Sequence, residues 1–284
     1  MLKEYQNQPG GIFGKLNKKV MALISHEVPL DLLEASRKFN DYHYCLPHLL
    51  NNEVYHKFFK DASNRGETII CDNGLFEGVS HTTEDLLEKI NDIQPGIFIV
   101  PDAWNDPITT VKNAKKWIDY YVDKIPSTVN LMAVVQAKTV SDAMLTYSKF
   151  VELGYTHIAL NHAGVFYKEL YQHQNELLSL MTGRIKFVNM LPSLNGFNKT
   201  IHHHLLGATL PNEFSNYKGK EYDFIKTIDT SNPVIYGLKH GKYPSEVLLD
   251  KPKEKLETYF DQRLTPQQIS DVLYNVKHFR TLLS

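Results

Sequence analysis

Carboxylates and side-chain amides recur in this sequence at the points where short apolar runs end. One run ends in Asp229 and is followed by a Thr, a Ser, an Asn and a Pro, which indicate the end of a strand and the start of a loop. An Asp in such a place often bonds its own backbone in a turn, but here the pattern repeats along the chain. The residues at the run ends are Ser25, His26, Asp72, Asn73, Asp102, Gln136, Asn161, His162, Asn189, Gly207 and Asp229.

This set of side chains favours one kind of chemistry. It holds three Asp and a Gln but no Lys or Arg, which suits a ligand with several N–H donors and a reaction with cationic character rather than a phosphate anchor. Carboxylates beside an anomeric carbon stabilise an oxocarbenium-like transition state, and one of them can attack that carbon. A carboxylate and an amide also recognise the donor edge of a purine or pyrimidine. Cleavage of an N-glycoside is therefore consistent with the set.

The apolar runs alternate with segments of helical pattern. Alternation of this kind indicates βαβ units and a parallel sheet, and eight such units that close on themselves form a TIM (β/α)8 barrel, a single-domain α/β fold. An open doubly wound sheet is the alternative, but no glycine-rich phosphate loop follows the first run. The predicted strands are residues 20–24, 68–71, 97–100, 130–135, 157–160, 185–188, 203–206 and 225–229. The predicted helices are residues 30–39, 52–64, 82–93, 106–121, 139–153, 167–181 and 211–217.

The barrel prediction also divides the chain and places the site. Residues 1–18 are polar and punctuated by glycine, and we interpret them as an N-terminal arm. Residues 19–284 are predicted to form the barrel, with a last helix near residues 266–283 as a C-terminal tail, and residues 42–50 are compatible with a further short strand. The active site of a TIM barrel lies at the C-terminal ends of its strands, so the run-end residues are expected to face one mouth.

Composition narrows the class of protein. The net charge of −1 excludes a global basic field, although basic clusters at residues 15–19, 112–116, 239–242 and 251–255 could line a groove or cover a solvated helix face. The two cysteines, Cys45 and Cys71, lack metal-type spacing and favour a reducing, cytoplasmic setting. No apolar run is long enough to cross a bilayer, and the N-terminus lacks the apolar core of a signal peptide. We expect no membrane partner.

Thirteen histidines and several aspartates would also fit a metal-dependent barrel hydrolase. Against that alternative, His202, His203 and His204 lie on a predicted strand, where successive side chains alternate between faces and cannot all bind one ion. The sequence therefore predicts neither a metal nor a cofactor.

Five motifs make the chain similar to a known family. They are Asp72-Asn-Gly-Leu-Phe76, Val100-Pro-Asp102, Val134-Val-Gln136, His204-Leu-Leu-Gly207 and Ile228-Asp-Thr-Ser-Asn-Pro233. Their order resembles that of the tRNA-guanine transglycosylase superfamily, and most closely its short, phage-type branch of DNA 7-deazaguanine transglycosylase-like proteins. The similarity spans about residues 20–280, and the segment Ile24-Ser-His-Glu-Val-Pro29 is among its most specific parts.

The resemblance implies a TIM barrel that exchanges a nucleobase through a covalent sugar–enzyme intermediate. It assigns the nucleophile to Asp229, the carboxyl that contacts the base and moves protons to Asp72, and the base-reading positions to Asp102 and Gln136. Further predicted substrate-binding residues are Asn73, Asn161, His162, Gly207 and, from its place at a strand end, His26.

The chain departs from the family pattern in three places, one of which is the position after Asp72, occupied here by Asn73. The tRNA enzymes of the family carry a cysteine-rich zinc site after the nucleophile strand, whereas this chain has no Cys beyond Cys71, which favours DNA over tRNA as the substrate. The paired glycines after the fifth strand of the family are replaced here by Asn161 and His162. A guanine-type specificity is therefore not implied.

The leading hypothesis is an enzyme that acts on a base extruded from DNA and inserts a 7-deazaguanine, with the free nucleobase as co-substrate. If water resolves the intermediate instead, the protein is a hydrolytic DNA glycosylase that leaves an abasic site, for example in defence against a phage with modified DNA. The sequence also fits a tRNA-guanine transglycosylase, or a catalytically silent barrel that binds nucleic acid or a free base.

Overall fold

The barrel is built from short parallel strands. The computed structural model describes residues 22–244 and 248–283, so the predicted arm, residues 1–18, lies outside the described residues. The strands are β1 Leu23–Ser25, β2 His43–Cys45, β3 Ile69–Cys71, β4 Ile97–Ile99, β5 Asn130–Val135, β6 His157–Asn161, β7 His202–Leu206 and β8 Ile225–Asp229. They form one eight-stranded sheet in the order β1-β8-β7-β6-β5-β4-β3-β2, and all the paired strands are parallel. The predicted TIM barrel is confirmed.

Helices follow the strands and form the outer layer. The α-helices are α1 Leu33–Ser36, α2 Glu53–Asn64, α3 Thr83–Ile93, α4 Pro107–Tyr120, α5 Val140–Glu152, α6 Tyr167–Leu170, α7 Glu176–Met190, α8 Asn232–His240 and α9 Pro266–Leu282. Short 3-10 helices cover Leu30–Leu32, Pro47–Asn51, Val122–Lys124, Leu191–Ser193, Pro211–Asn216, Lys220–Tyr222 and Leu256–Thr258. None of the helices in the described part of the chain is both long and apolar enough to span a membrane.

Side-chain caps fix where the longer helices begin. Each of these capping side chains accepts a hydrogen bond from a backbone N–H of the first helical turn, which satisfies a donor that has no partner inside the helix. The caps are Asn52, Thr82, Asp106, Thr139, Asn175 and Thr265. The strands β5 and β6 are buried and largely apolar on both faces, which is typical of a parallel sheet covered by helices.

Side chains rather than a strand ladder close the barrel between β1 and β2. The backbone N–H of Asp41 donates to the Ile24 carbonyl (2.8 Å), and the Asp41 carboxylate accepts from the Ile24 N–H (2.9 Å). The amide of Asn40 bonds both the N–H and the carbonyl of His26, at 2.8 and 2.9 Å. From α9, Arg280 donates to the Asp41 carboxylate at 2.9 Å. The C-terminal helix therefore stabilises this seam of the barrel.

Two sequence predictions around residues 167–190 are wrong. The predicted strand at 185–188 belongs to α7, and the predicted helix at 167–181 is two helices, α6 and α7. The barrel still has eight strands because β2 lies within the ambiguous stretch 42–50. Asn189, expected at a strand end, lies on α7 and accepts a hydrogen bond from the Tyr222 hydroxyl at 2.7 Å.

Close packing between α6 and α7 explains why Gly183 does not end a helix. The sequence pattern predicts a helix end at Gly183, but this residue lies inside α7, where a Cβ atom would stand 2.2 Å from the Tyr167 carbonyl oxygen of α6. The glycine is therefore needed for the contact between α6 and α7 rather than for a turn. A signal for helix termination and a signal for close packing look the same in a single sequence.

Candidate active site

A cavity of about 410 Å³ opens at the C-terminal ends of the strands. This volume is within the range of small-molecule sites, and the position is that of the active site in a TIM barrel. All the predicted catalytic and substrate-binding residues except His26 line it, together with Glu27. The predicted residues in the wall are Asp72, Asn73, Asp102, Gln136, Asn161, His162, Gly207 and Asp229.

Asp229, at the end of β8, is held in one orientation. Its Oδ1 accepts hydrogen bonds from His204 Nε2 (2.9 Å) and from the Gly207 backbone N–H (3.0 Å). His204 Nδ1 lies 2.8 Å from Thr227 Oγ1, so a tautomer protonated at Nε2 donates to the carboxylate and accepts from the threonine hydroxyl. Both donors bind Oδ1, and the Glu27 carboxyl also hydrogen-bonds Asp229, so the carboxylate has three partners.

Two further carboxyl groups, those of Glu27 and Asp72, favour their protonated forms. Burial raises the pKa of Glu27 well above its ordinary value, and the charge of Asp229, which hydrogen-bonds Glu27, adds to the shift. Burial and the charge of Glu77 likewise raise the pKa of Asp72, with Asp102 and Asp229 contributing in the same direction. Like charges in one cavity cannot all ionise cheaply. The site therefore combines an ordered carboxylate with carboxylic acids that can donate a proton.

Asp102 belongs to a hydrogen-bonded row of amides. Its Oδ1 accepts from Asn73 Nδ2 (2.8 Å) and its Oδ2 accepts from Gln136 Nε2 (2.7 Å). Asn161 Nδ2 donates to Gln136 Oε1 (3.0 Å), as does the Asn105 backbone N–H (3.1 Å). Burial raises the pKa of Asp102 to about 6, although the bonds from Gln136 and Asn73 oppose the shift. The row fixes the amide orientations and so presents a defined donor and acceptor pattern to a ligand.

His162 forms the wall beside Gly207. A Cβ atom on Gly207 would stand 2.4 Å from His162 Nδ1, and Gly207 has a φ of +67°. The His162 ring also makes an edge contact with Phe76, with ring centroids 5.3 Å apart. Burial, with the charges of Lys251 and Arg184, lowers the pKa of His162 well below its ordinary value. The ring is therefore a neutral, packed part of the wall.

We expect Gly207→Ala to weaken both the fold and the site. An L-residue in the left-handed region costs about 1–2 kcal/mol, and the added methyl must also displace the His162 ring. Gly66→Ala is the matched control, because Gly66 has a φ of +70° but nothing within 4 Å of its Cβ position. Urea unfolding of both variants checks the difference in stability. Equal losses of stability in the two variants would contradict this view of Gly207.

A buried ion pair holds the loop that carries Gly207. Arg184 and Glu213 are both fully buried and joined by two bonds of 2.6 and 2.8 Å. Arg184 also donates to the carbonyls of Leu206 (3.0 Å) and Gly207 (2.8 Å). The pair therefore sets the position of the Gly207 N–H that orients Asp229.

Removing one partner of this pair should be far more harmful than removing both. Arg184→Met leaves Glu213 buried without its cation, and such a loss typically costs about 3–5 kcal/mol. The double variant Arg184→Met/Glu213→Gln removes both charges and should recover part of that stability. Denaturant unfolding of the two single variants and the double variant tests this; strictly additive losses would contradict the pairing.

His26 lies away from the cavity, in the seam between β1 and β2. Its ring packs edge-on against Phe279 of α9, with centroids 5.4 Å apart, and its Nδ1 lies 2.9 Å from the Thr230 carbonyl oxygen. Burial lowers its pKa to about 4. The structure thus places His26 in packing between the barrel and α9, and not among the residues that face a substrate.

Sequence reasoning overlooked two residues that contact Asp229, namely Glu27 and His204. Both have a signal in the sequence. Glu27 is the second residue after β1, and Ser25, the last residue of that strand, is in register with Asp229. His204 belongs to the histidine triplet that argues against a metal, yet alternation along β7 gives His203 a different environment, where it contacts Tyr147 at 2.9 Å. The alternation of side chains along β7 argues against a shared metal ion, and it also directs His204 toward Asp229.

Residues 22–244 and 248–283 contain no group of three or more His, Cys, Asp or Glu side chains arranged to hold a metal ion. No model of a known protein family matches the chain, and no curated protein matches it either.

Proposed function

We propose that this protein is an enzyme that cleaves the N-glycosidic bond of a nucleobase in DNA through a covalent bond between Asp229 and the sugar, followed by exchange for a 7-deazaguanine. The observation that carries the proposal is the environment of Asp229. A carboxylate fixed by two donors at Oδ1 shares one cavity with Asp72, whose raised pKa favours the protonated form, and with the Asp102–Gln136 pair. A nucleophile, an acid and a base-reading edge are the parts that the reaction needs.

In the first step, a carboxylate oxygen of Asp229 attacks C1′ of the sugar. The bond between C1′ and the base nitrogen breaks, and its electron pair leaves with the base. Asp72, whose pKa is raised by burial and by Glu77, donates the proton that neutralises the departing base. The hydrogen bonds from His204 and Gly207 orient the carboxylate for attack and support its charge.

In the second step, a 7-deazaguanine displaces Asp229. Its ring nitrogen attacks C1′, the C1′–oxygen bond to Asp229 breaks, and Asp72, now ionised, takes the proton from the incoming base. Two displacements at the same carbon retain the configuration of the sugar. The ordered amides of Asn73 and Gln136, which bond Asp102, leave defined polar edges for reading the base.

The depth of the site favours an extruded nucleotide. The carboxylates lie at the buried ends of the strands, where C1′ of a base-paired nucleotide could not reach them, so the target must leave the stack. At the mouth, Phe76 and Trp104 are 47% and 44% exposed with ring centroids 6.4 Å apart. Exposed aromatic rings at a nucleic-acid site offer stacking surfaces for unpaired bases.

Hydrolysis is the second candidate, and the His162 wall favours it. The His162 ring lies against Gly207 and lines the cavity, so an incoming deazaguanine would meet a side chain rather than bare backbone. Water needs no such surface and could resolve the intermediate, which would leave an abasic site. A tRNA substrate is a third candidate, through the family resemblance alone.

One incubation separates these candidates. DNA is treated with the enzyme, with and without a labelled 7-deazaguanine, and its nucleosides are measured by mass spectrometry; a parallel incubation uses tRNA. Incorporation of the label into DNA supports exchange, whereas base release with abasic sites and no label supports hydrolysis. If tRNA becomes labelled and DNA does not, the DNA assignment is wrong. If neither nucleic acid changes, the proposed activity itself is overturned.

A further inference from the structure

The cavity has a charge asymmetry that the strand ends do not explain. Its inner end carries the carboxyl groups of Glu27, Asp72, Asp102 and Asp229, while residues 250–255 form part of its wall and bring three lysines, Lys251, Lys253 and Lys255, together with two acids, Asp250 and Glu254. We call residues 250–255 the lysine segment. It contains one of the four basic clusters in the sequence, and it lies in the tail that follows α8. The phosphate-binding residue that the strand ends lack could therefore come from this segment.

The lysine segment is held across the mouth at several points. Asn175, the cap of α7, donates to the Leu249 carbonyl at 2.8 Å. Lys255 donates to the Phe76 carbonyl at 3.2 Å and lies over the Phe76 ring. Immediately after the segment, Leu256 is buried in the core. These contacts fix where the lysine side chains lie relative to the cavity.

Lys251 is half-buried. Among the described residues, no carboxylate contacts its ammonium group. Its Nζ lies 3.5 Å from His162 Nε2, and the neighbouring Asp250 carboxylate bonds the Lys251 backbone N–H instead. Burial and the charge of Arg184 lower the pKa of Lys251. A partly desolvated cation without a counter-charge is costly. An anionic ligand at this point would relieve that cost.

Two acidic groups of the rim pair with residues other than Lys251 and Lys253. Glu254 pairs with Lys239, and Glu257 bonds His48 at 3.2 Å. Lys253 is exposed beside them. The cationic charge of Lys251 and Lys253 is therefore available to a ligand rather than neutralised within the described part of the protein.

A series of contacts links Lys251 to the proposed nucleophile. Lys251 meets His162, the His162 ring lies against Gly207, and the Gly207 N–H bonds Asp229. A nucleotide with C1′ at Asp229 and its base toward the inner carboxylates has its sugar–phosphate backbone toward the mouth, on the side of these lysines. We propose that Lys251, assisted by Lys253, binds a backbone phosphate of the DNA strand that carries the extruded nucleotide. This inference rests on the proposed function for the identity of the strand.

Salt-dependent binding of a single-stranded DNA of about 12 nucleotides, which is within the site size of single-strand binders, tests the proposal without any turnover. Loss of one phosphate contact should lower the slope of log affinity against log salt by about 0.7 and weaken binding roughly fivefold at ~0.1 M salt. Lys251→Gln should show both changes and Lys251→Arg should show neither. Lys253→Gln should show a smaller change of the same kind.

Lys112→Gln is the matched control. It removes one positive charge from the exposed face of α4, outside the cavity wall, so its slope and affinity should equal those of the wild type. Equal binding by Lys251→Gln and Lys112→Gln would overturn the proposal, and so would tighter binding of an RNA strand of the same sequence. Melting curves ensure that each variant is folded. Because binding is measured apart from catalysis, an inactive protein that still loses DNA affinity on Lys251→Gln would refute the proposed reaction and leave this inference standing.

Discussion

Asp229→Asn is expected to abolish base release while leaving the fold intact. The asparagine keeps an Oδ1 that can accept from His204 and Gly207, but its amide cannot form an ester with C1′. Loss of a nucleophile that works with fixed neighbours commonly costs on the order of 10⁴-fold or more in kcat. Single-turnover base release from a DNA oligonucleotide measures the effect, with the melting temperature as a check on folding.

Asp223→Asn is the control for that variant. Asp223 is exposed just before the other end of the same strand, β8, and its replacement makes the same chemical change far from the cavity. It should turn over at the wild-type rate. Retention of activity by Asp229→Asn, or by Asp229→Ala, would instead favour the silent, ligand-binding barrel or a different nucleophile.

Asp72→Asn is expected to slow base release by about 10² to 10⁴-fold, the usual contribution of a general acid. The raised pKa of Asp72 also fixes the sign of a pH effect. The protonated form acts first, so wild-type kcat/KM should fall as pH rises through that pKa. Asp72→Asn should lose the part of this fall that Asp72 contributes, since an amide carries no such proton. A pH–rate profile of both proteins checks this.

Glu27→Gln tests whether Asp72 or Glu27 is the general acid. Glu27 also has a raised pKa and hydrogen-bonds Asp229, but a glutamine amide can supply the same donor. Its rate should stay within about tenfold of the wild type, well below the loss expected for a general acid. If Glu27→Gln lost as much activity as Asp72→Asn, and lost the alkaline fall as well, Glu27 would be the better candidate for the acid.

The barrel follows from the sequence because its strands are short apolar runs that end in polar residues. The seam between β1 and β2 does not follow from such a pattern, since Asn40 and Asp41 close it with side chains. The stretch 185–188 misleads because a short, largely apolar run suits either a buried helix or a strand. A tertiary contact at Gly183, between α6 and α7, decides in favour of the helix.

The candidate site follows from the sequence in part. The residues at the strand ends meet because parallel strands bring their C-terminal ends to one side of the barrel. Glu27 becomes apparent once the register places Ser25 opposite Asp229. The sequence shows the basic cluster at residues 251–255 but not that Lys251 reaches the cavity, because the tail after α8 is positioned by loop contacts that have no periodic pattern. Charged side chains that line the cavity from loops are the part of this site that cannot be predicted from a single sequence.

The covalent intermediate is the claim on which the account depends, and peptide mapping tests it most directly. A DNA oligonucleotide is mixed with the enzyme without an incoming base, the mixture is denatured within the first turnover, and the protein is digested and analysed by mass spectrometry. We predict that the peptide containing residues 225–229 carries the oligonucleotide on Asp229 through C1′ of the sugar that has lost its base, and that Asp229→Asn shows none. Released base without any adduct, or an adduct on another residue, would contradict the account.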